Sequence, residues 1–85
     1  MQNTPHRFVP PNGFVPDAQT AIKIAQAVWL PIYGERVLRE NPFKATLQGD
    51  VWTVEGSLPK GTLGGVAIAE ISKTDARILR VSHGQ

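Results

Sequence analysis

The chain has 85 residues, nine basic and seven acidic, so its formal net charge is +2 at pH 7. This length suits one domain and excludes a multidomain enzyme. The sequence has no cysteine, which excludes disulfides, zinc–thiolate sites and a thiol nucleophile. Its scattered basic residues do not favour nucleic acid as a partner, because nucleic-acid binders cluster Lys and Arg to displace counterions. We therefore expect a small binding module, with a compact enzyme as the alternative.

The beginning of the chain is polar and rich in proline. Residues 1–14 are predicted to form an arm, either packed across the domain through apolar side chains or disordered, and residues 15–85 the domain itself. No apolar run approaches the ~20 residues that span a bilayer, and residues 1–11 lack the apolar core of a signal peptide. We expect no membrane partner and a cytoplasmic protein; a periplasmic location is the alternative if a signal peptide has been removed. The apolar side chains of the arm are Phe8, Val9 and Phe14.

The first predicted element is a helix from Asp17 to Leu30. Asp17 is suited to the N-cap position because its carboxylate can accept from the first free N–H groups. Pro31 is predicted to end the helix, since proline lacks an N–H and disfavours helical geometry at the preceding residue. A short second helix follows at 35–40. The apolar residues that recur at helical spacing in the first helix are Ala18, Ala21, Ile22, Ala25, Val28 and Trp29.

Four strands are predicted after the helices, at 43–48, 51–56, 66–72 and 77–82. In the second strand Trp52 and Val54 share one face, which we expect to be buried. The inward face of the last two strands is ambiguous, so the pattern indicates a β-bulge or burial on both sides. The order of elements predicts an α+β fold, with the N-terminal helix and the short second helix packed on a four-stranded antiparallel meander.

A glycine-rich loop separates the second and third strands. It has some likeness to a phosphate-binding loop, but that motif needs a Lys-Ser/Thr pair at the start of a helix, and here Val66 begins a strand. We therefore interpret it as a loop whose glycines need positive φ or close backbone approach. Because binding loops often project between strands, it is also a candidate partner-binding segment. Its residues are Lys60, Gly61, Thr62, Leu63, Gly64 and Gly65.

Other candidate functional residues are few. Tyr33, beside Gly34 at a corner, is the large ring best placed for partial exposure, and His83 is best placed as an interface contact. Glu55 and Glu70 lie in strands, where they act either as an acid–base pair or as solvent-facing residues that limit edge aggregation; we favour the second. No cofactor and no metal site is predicted.

Residues 14–85 resemble the short NTF2-fold immunity proteins of bacterial polymorphic toxin systems. The resemblance rests on the order and spacing of many features, while no single motif is specific. It departs from the family pattern at Asp75-Ala76, where a glycine is expected in the hairpin turn. The matching features are Pro16-Asp17, Thr20-Ala21, Pro31, Tyr33-Gly34, Pro42-Phe43, Trp52, Val54, Gly56, Leu58-Pro59, Gly64-Gly65 and His83-Gly84.

The resemblance implies a truncated NTF2-like, or cystatin-like, fold and a non-catalytic protein that neutralises a cognate toxin by stoichiometric binding. On that reading the partner surface comprises Tyr33, the loop 60–65 and His83, and a homodimer is possible. Two alternatives stay open. One is a ligand-binding or enzymatic cone lined by Trp52, Tyr33, Glu55 or His83. The other is a secreted accessory domain similar to protease inhibitors.

Overall fold

The computed structural model describes residues 8–84. Within them the chain forms an α-helix, a 3-10 helix and four strands, and the sheet is antiparallel with strand order β1-β2-β3-β4. The helix packs against the first three strands. The predicted α+β meander is therefore confirmed. The elements are α1 (Ala18–Tyr33), the 3-10 helix η1 (Glu35–Glu40), β1 (Lys44–Gln48), β2 (Val51–Glu55), β3 (Ala67–Ser72) and β4 (Ile78–His83).

Helix α1 begins as the sequence predicts. Asp17 is its N-cap, and its carboxylate accepts a hydrogen bond from the Thr20 backbone N–H at 2.8 Å. Hydrogen bonding from Thr20 also holds the pKa of Asp17 below its ordinary value. Ala21, Ala25 and Trp29 are fully buried, so the small side chains of the stripe let the sheet approach the helix closely.

The prediction that Pro31 ends the helix is wrong, because α1 continues through Pro31 to Tyr33. An internal proline costs one hydrogen bond to the carbonyl four residues earlier, here that of Ala27, an exposed residue within reach of water. The helix ends instead at Gly34, whose φ is 81° and whose N–H donates to the Leu30 carbonyl at 2.9 Å. The extra turn places Tyr33 at the end of the helix rather than in a connecting corner after it.

The helix-facing side of the sheet supplies the rest of the core. Trp52 and Val54 of β2 are buried, as predicted, at 7% and 0% exposure. Alternate residues of β3 are buried beside them, so one face of this strand is shielded from water and packs toward the helix. The buried hydrophobic residues of the described chain are Val15, Ala21, Ala25, Trp29, Val37, Trp52, Val54, Ala67, Ala69 and Ile71.

The β3–β4 pair contains an irregularity that accounts for the ambiguous strand pattern. Ile71 pairs with Ile78, but Glu70 pairs with Arg80, so Leu79 is an extra residue in β4. This is the two-against-one arrangement of a β-bulge, one of the two arrangements that the sequence indicated. Glu70 and Arg80 form an ion pair at 3.0 Å, so Glu70 acts as a strand-face residue.

The described part of the arm packs on the domain only near its end. The Phe14 and Val15 N–H groups donate to the Thr74 and Lys73 carbonyls, both at 3.0 Å. Val15 is fully buried, and its carbonyl accepts from the Trp52 indole N–H at 2.8 Å. The apolar residues expected to anchor the arm, Phe8, Val9 and Phe14, are instead exposed. Residues 1–7 of the predicted arm lie outside the described residues.

The β3–β4 turn adopts the backbone that glycine usually supplies. Ala76 has φ 65°, in the left-handed region, and its N–H donates to the Ser72 carbonyl at 2.9 Å. The Asp75 carboxylate accepts from the Arg77 N–H at 3.1 Å. An alanine at this position thus takes the left-handed conformation that a glycine was expected to supply.

Residues 8–84 include no helix of the length and apolarity that a bilayer crossing needs.

Candidate functional site

A concavity of about 490 Å³ lies where the end of α1, the 3-10 helix and the end of β4 meet. The 3-10 helix is held there by its last residue, because the Glu40 carbonyl accepts from the Ser57 N–H at 2.6 Å. We call this feature the basic concavity. The side chains that line it are those of Tyr33, Arg36, Val37, Arg39, Glu40, Leu58 and His83, and the backbone of Gly65 and Gly84 completes it.

The Glu40 carboxylate is the centre of the site. One oxygen, Oε1, accepts from the Ala67 N–H of β3 at 2.8 Å, and the other, Oε2, lies 2.7 Å from His83 Nε2. The side chain of Glu40 is only 14% exposed. Gly56 makes room for it, since a Cβ at Gly56 would lie 2.7 Å from the Glu40 Cβ. Glu40 therefore joins the 3-10 helix to both strands at the end of the sheet.

The His83 ring is held in an orientation that favours its charged form. Its Nδ1 lies 2.8 Å from the Gly84 carbonyl, while Nε2 faces Glu40. With an acceptor at each nitrogen, the ring satisfies both contacts only when both nitrogens carry a proton. The Gly84 carbonyl first, and the Glu40 carboxylate second, therefore raise the pKa of His83 above its ordinary value of 6.5, against smaller opposing effects of burial and of Arg36.

Tyr33 forms the wall beside His83. It lies in the last turn of α1, is half-buried, and its ring centroid is 5.1 Å from that of His83 with the planes tilted by 59°. Such tilted pairs are favourable aromatic contacts. Two predicted site residues that are 50 positions apart in the sequence thus touch one another.

Arg36 and Arg39 give the concavity its charge. Both residues are exposed, and the ion pairs within residues 8–84 are Glu70–Arg80 and Glu40–His83, which leaves both guanidinium groups without a carboxylate partner in the described chain. The lining residues Arg36, Arg39 and Glu40 together carry a net charge of +1, which becomes +2 when His83 is protonated.

The predicted binding loop lies at the rim. Gly65 lines the concavity, whereas residues 60–64 are exposed and outside its lining. Gly61 and Gly64 have φ of 82° and 134°, which confirms that the loop needs glycine backbones. Leu63 is 95% exposed. Of the predicted partner-binding residues, the structure brings together Tyr33, Gly65 and His83, and it leaves Lys60 to Gly64 projecting beside them.

Sequence reasoning missed the roles of Glu40, Arg36 and Arg39. It treated the basic residues as scattered along the chain and named no role for these three. The sequence does hold a signal for the two arginines, because side chains three residues apart eclipse each other along a 3-10 helix. That spacing places Arg36 and Arg39 on one face. No local pattern indicates that Glu40 meets β3 and β4.

Of the four residues proposed for an enzymatic cone, Tyr33 and His83 meet in the concavity, whereas Trp52 and Glu55 are not part of its lining. Trp52 is buried in the core with its indole N–H on Val15, away from the lining of the concavity. Glu55 pairs with Ile68 and Glu70 with Thr53 across the β2–β3 ladder, so the two carboxylates are not directly opposed. Among residues 8–84 no three His, Asp or Glu side chains are grouped so that they could hold a metal ion.

Comparison with known protein families identifies the chain. The family model described as NTF2 fold immunity protein matches residues 20–85. The match begins two residues after the start of α1 and includes all the later elements through β4. This protein belongs to the NTF2 fold immunity protein family. The resemblance drawn from the sequence is thereby confirmed. The family implies a polymorphic-toxin context and suggests a non-enzymatic role.

Two relatives from Escherichia coli (strain K12) are similar to the chain. Uncharacterized protein YbbC is 39% identical over 67 residues, which cover 76% of this chain and 55% of that protein. Uncharacterized protein YhhH is 34% identical over 75 residues, which cover 86% of this chain and 59% of that protein. The chain thus spans somewhat more than half the length of these relatives. No solved structure matches it.

Proposed function

We propose that this protein binds a cognate bacterial toxin and neutralises it by stoichiometric occlusion. The observation that carries the proposal is the match of residues 20–85 to the NTF2 fold immunity protein family. Occlusion needs a surface of about 800 Å² on each partner, a small share of the 5882 Å² that the chain exposes. It needs no catalytic group.

The contact surface of this proposal is the basic concavity together with the loop 60–65. Two properties support the choice. Leu63 is an almost fully exposed large apolar side chain, which is the type of residue that gains most from burial in a partner. The concavity beside it combines an aromatic ring with arginines, and Tyr and Arg are enriched among residues that dominate binding energies.

Coexpression with the toxin encoded by the adjacent gene tests the proposal. The expected result is that growth is rescued and that the two purified proteins elute together in size-exclusion chromatography at a fixed stoichiometry. The same experiment on the isolated chain reports whether it forms a homodimer. Failure of rescue together with the absence of a complex would refute the proposal.

The choice of control matters because a small protein can rescue growth by lowering toxin synthesis. Toxin abundance is therefore measured by immunoblotting in the same cultures. Rescue at unchanged toxin abundance is the result that neutralisation requires.

A further inference from the structure

We propose that the basic concavity is a receptor for a carboxylate side chain on an acidic segment of the toxin, held by Arg36 and Arg39. This inference rests on the proposed function and names the chemistry of the partner at that same site. Three features of the concavity carry it. Two arginines have no carboxylate partner in the described chain, the single carboxylate already has both oxygens hydrogen-bonded within the protein, and part of the wall is apolar.

The uncompensated charge belongs to two side chains that point to one ligand chemistry. Arginine presents a rigid fork of N–H donors that matches a carboxylate or a phosphate with two parallel hydrogen bonds. Arg36 and Arg39 are three residues apart in η1, so their side chains lie on one face. Both line the concavity and both lack a carboxylate partner within residues 8–84.

Glu40 does not oppose the approach of an anion. Both of its oxygens are engaged, Oε1 by the Ala67 N–H and Oε2 by His83, and the side chain is largely buried. His83 Nε2 lies 2.7 Å from Oε2, so a protonated imidazole matches the charge of Glu40 at short range. An incoming carboxylate therefore meets the two arginines rather than a free acidic group.

The walls of the concavity favour a protein segment over a free phosphate. Tyr33 and Leu58 give it apolar surface, which a peptide covers and a small hydrated anion does not. Leu63, which is 95% exposed, lies two residues along the chain from the lining residue Gly65 and offers a further apolar side chain. Together they fit an acidic side chain flanked by apolar ones.

The first test is charge reversal in the complex with the toxin. Arg36→Glu with Arg39→Glu is expected to raise the Kd by about tenfold or more, because like charges would then face each other. Arg77→Glu is the matched control, since Arg77 precedes β4 and lies about 20 Å along that strand from His83. Its expected Kd is within about twofold of wild type. Equal affinity of the double variant and wild type would overturn the inference.

The second test needs no toxin and does not depend on how the variants fold. The isotope-labelled wild-type chain is titrated with an acetylated, amidated pentapeptide that has a central glutamate between leucines, with its glutamine counterpart, and with inorganic phosphate. The expected result is that the glutamate peptide alone shifts the NMR signals of Arg36, Arg39, Gly65 and His83. Stronger shifts with phosphate, or equal shifts with the glutamine peptide, would overturn the inference.

The two proposals can fail separately. If the double variant protects cells as well as wild type does, neutralisation stands and the carboxylate receptor is refuted. If the chain binds no toxin but the glutamate peptide shifts the four signals, a carboxylate-binding site is supported, while the proposed function and the toxin segment as its occupant are refuted.

Discussion

Glu40 and His83 are 43 positions apart in the sequence, and their side chains meet at 2.7 Å at the end of the sheet. The contact spans two elements that share no backbone ladder, the 3-10 helix and β4. Because the other Glu40 oxygen accepts from β3, one carboxylate fixes the relative position of three segments. Substitution of either residue should therefore affect both the stability of the fold and the shape of the concavity.

Glu40→Ala is expected to lower the free energy of unfolding by about 1–3 kcal/mol, because the partly buried Ala67 N–H would lose its acceptor. Urea denaturation of the full chain measures the change. Glu35→Ala is the control, since Glu35 is an exposed residue of the same 3-10 helix. Equal losses in the two variants would show that the contacts of Glu40 with the strands add nothing to stability.

The stability of the protein is expected to fall as the pH rises through the raised pKa of His83. Below 6.5 the imidazole is protonated in both the folded and the unfolded chain, so its preference for the Gly84 and Glu40 oxygens contributes in full. Above the folded-state pKa the proton is absent from both states and the contribution is lost.

The measurement for His83 is urea denaturation of wild type and of His83→Gln at a series of pH values. The stability difference between the two should be largest below pH 6.5 and should shrink as the pH rises. A difference that grows with pH would contradict the raised pKa. NMR titration of the ring protons of His83 gives the pKa directly.

Trp52→Phe is expected to cost about 1–3 kcal/mol and to loosen the segment that precedes α1, because the Val15 carbonyl would lose its buried donor. Hydrogen exchange of the Phe14 and Val15 amides, which bond to the β3–β4 turn, should become faster relative to global unfolding. Trp29→Phe is the control, since the Trp29 indole donates to Ile68 at a longer 3.4 Å. If both variants speed these two amides alike, Trp52 has no specific role in holding the segment.

Leu63→Asp is expected to weaken toxin binding by about tenfold or more without changing stability. The side chain is 95% exposed, so its loss costs the free chain little, whereas in the complex an aspartate would replace buried apolar surface with a charge that must be desolvated. Isothermal titration calorimetry and thermal unfolding measure the two effects. Val9→Asp, at another exposed apolar residue, is the control for an added charge. Unchanged toxin affinity in Leu63→Asp would remove the loop from the contact surface.

The sequence predicts the structural features that depend on the local spacing of apolar residues and on the residues that cap elements. The alanine stripe of α1, the Asp17 cap and the alternation around Trp52 each follow from spacing, and the structure confirms them. The end of α1 does not follow from the sequence, because the helix tolerates Pro31 and ends at Gly34. Whether a helix tolerates an internal proline depends on whether the carbonyl that loses its partner can reach water, which a linear pattern does not specify.

The candidate site is less predictable because its parts come together only after the sheet forms. The sequence identifies Tyr33 and His83 separately, as an exposed and as an interface residue. The contact between their tilted rings depends on the register of β4 and on the extra helical turn. Glu40 has the same local sequence features as Glu35, yet one is largely buried and the other exposed. Only the tertiary contacts with Ala67 and His83 distinguish the two.

The bulge at Leu79 decides which face of the sheet bears His83. With the extra residue, Val81 and His83 pair with the buried Ala69 and Ala67 and so face the helix. If Leu79 were instead paired in the ladder, every later residue of β4 would turn to the opposite face, and His83 would leave Tyr33 and Glu40. Loss of the Leu79 codon would not have that effect, because Arg80 would still pair with Glu70 and His83 with Ala67. The hairpin can therefore shorten by one residue in evolution and keep the concavity, whereas straightening the strand at its present length would remove His83 from it.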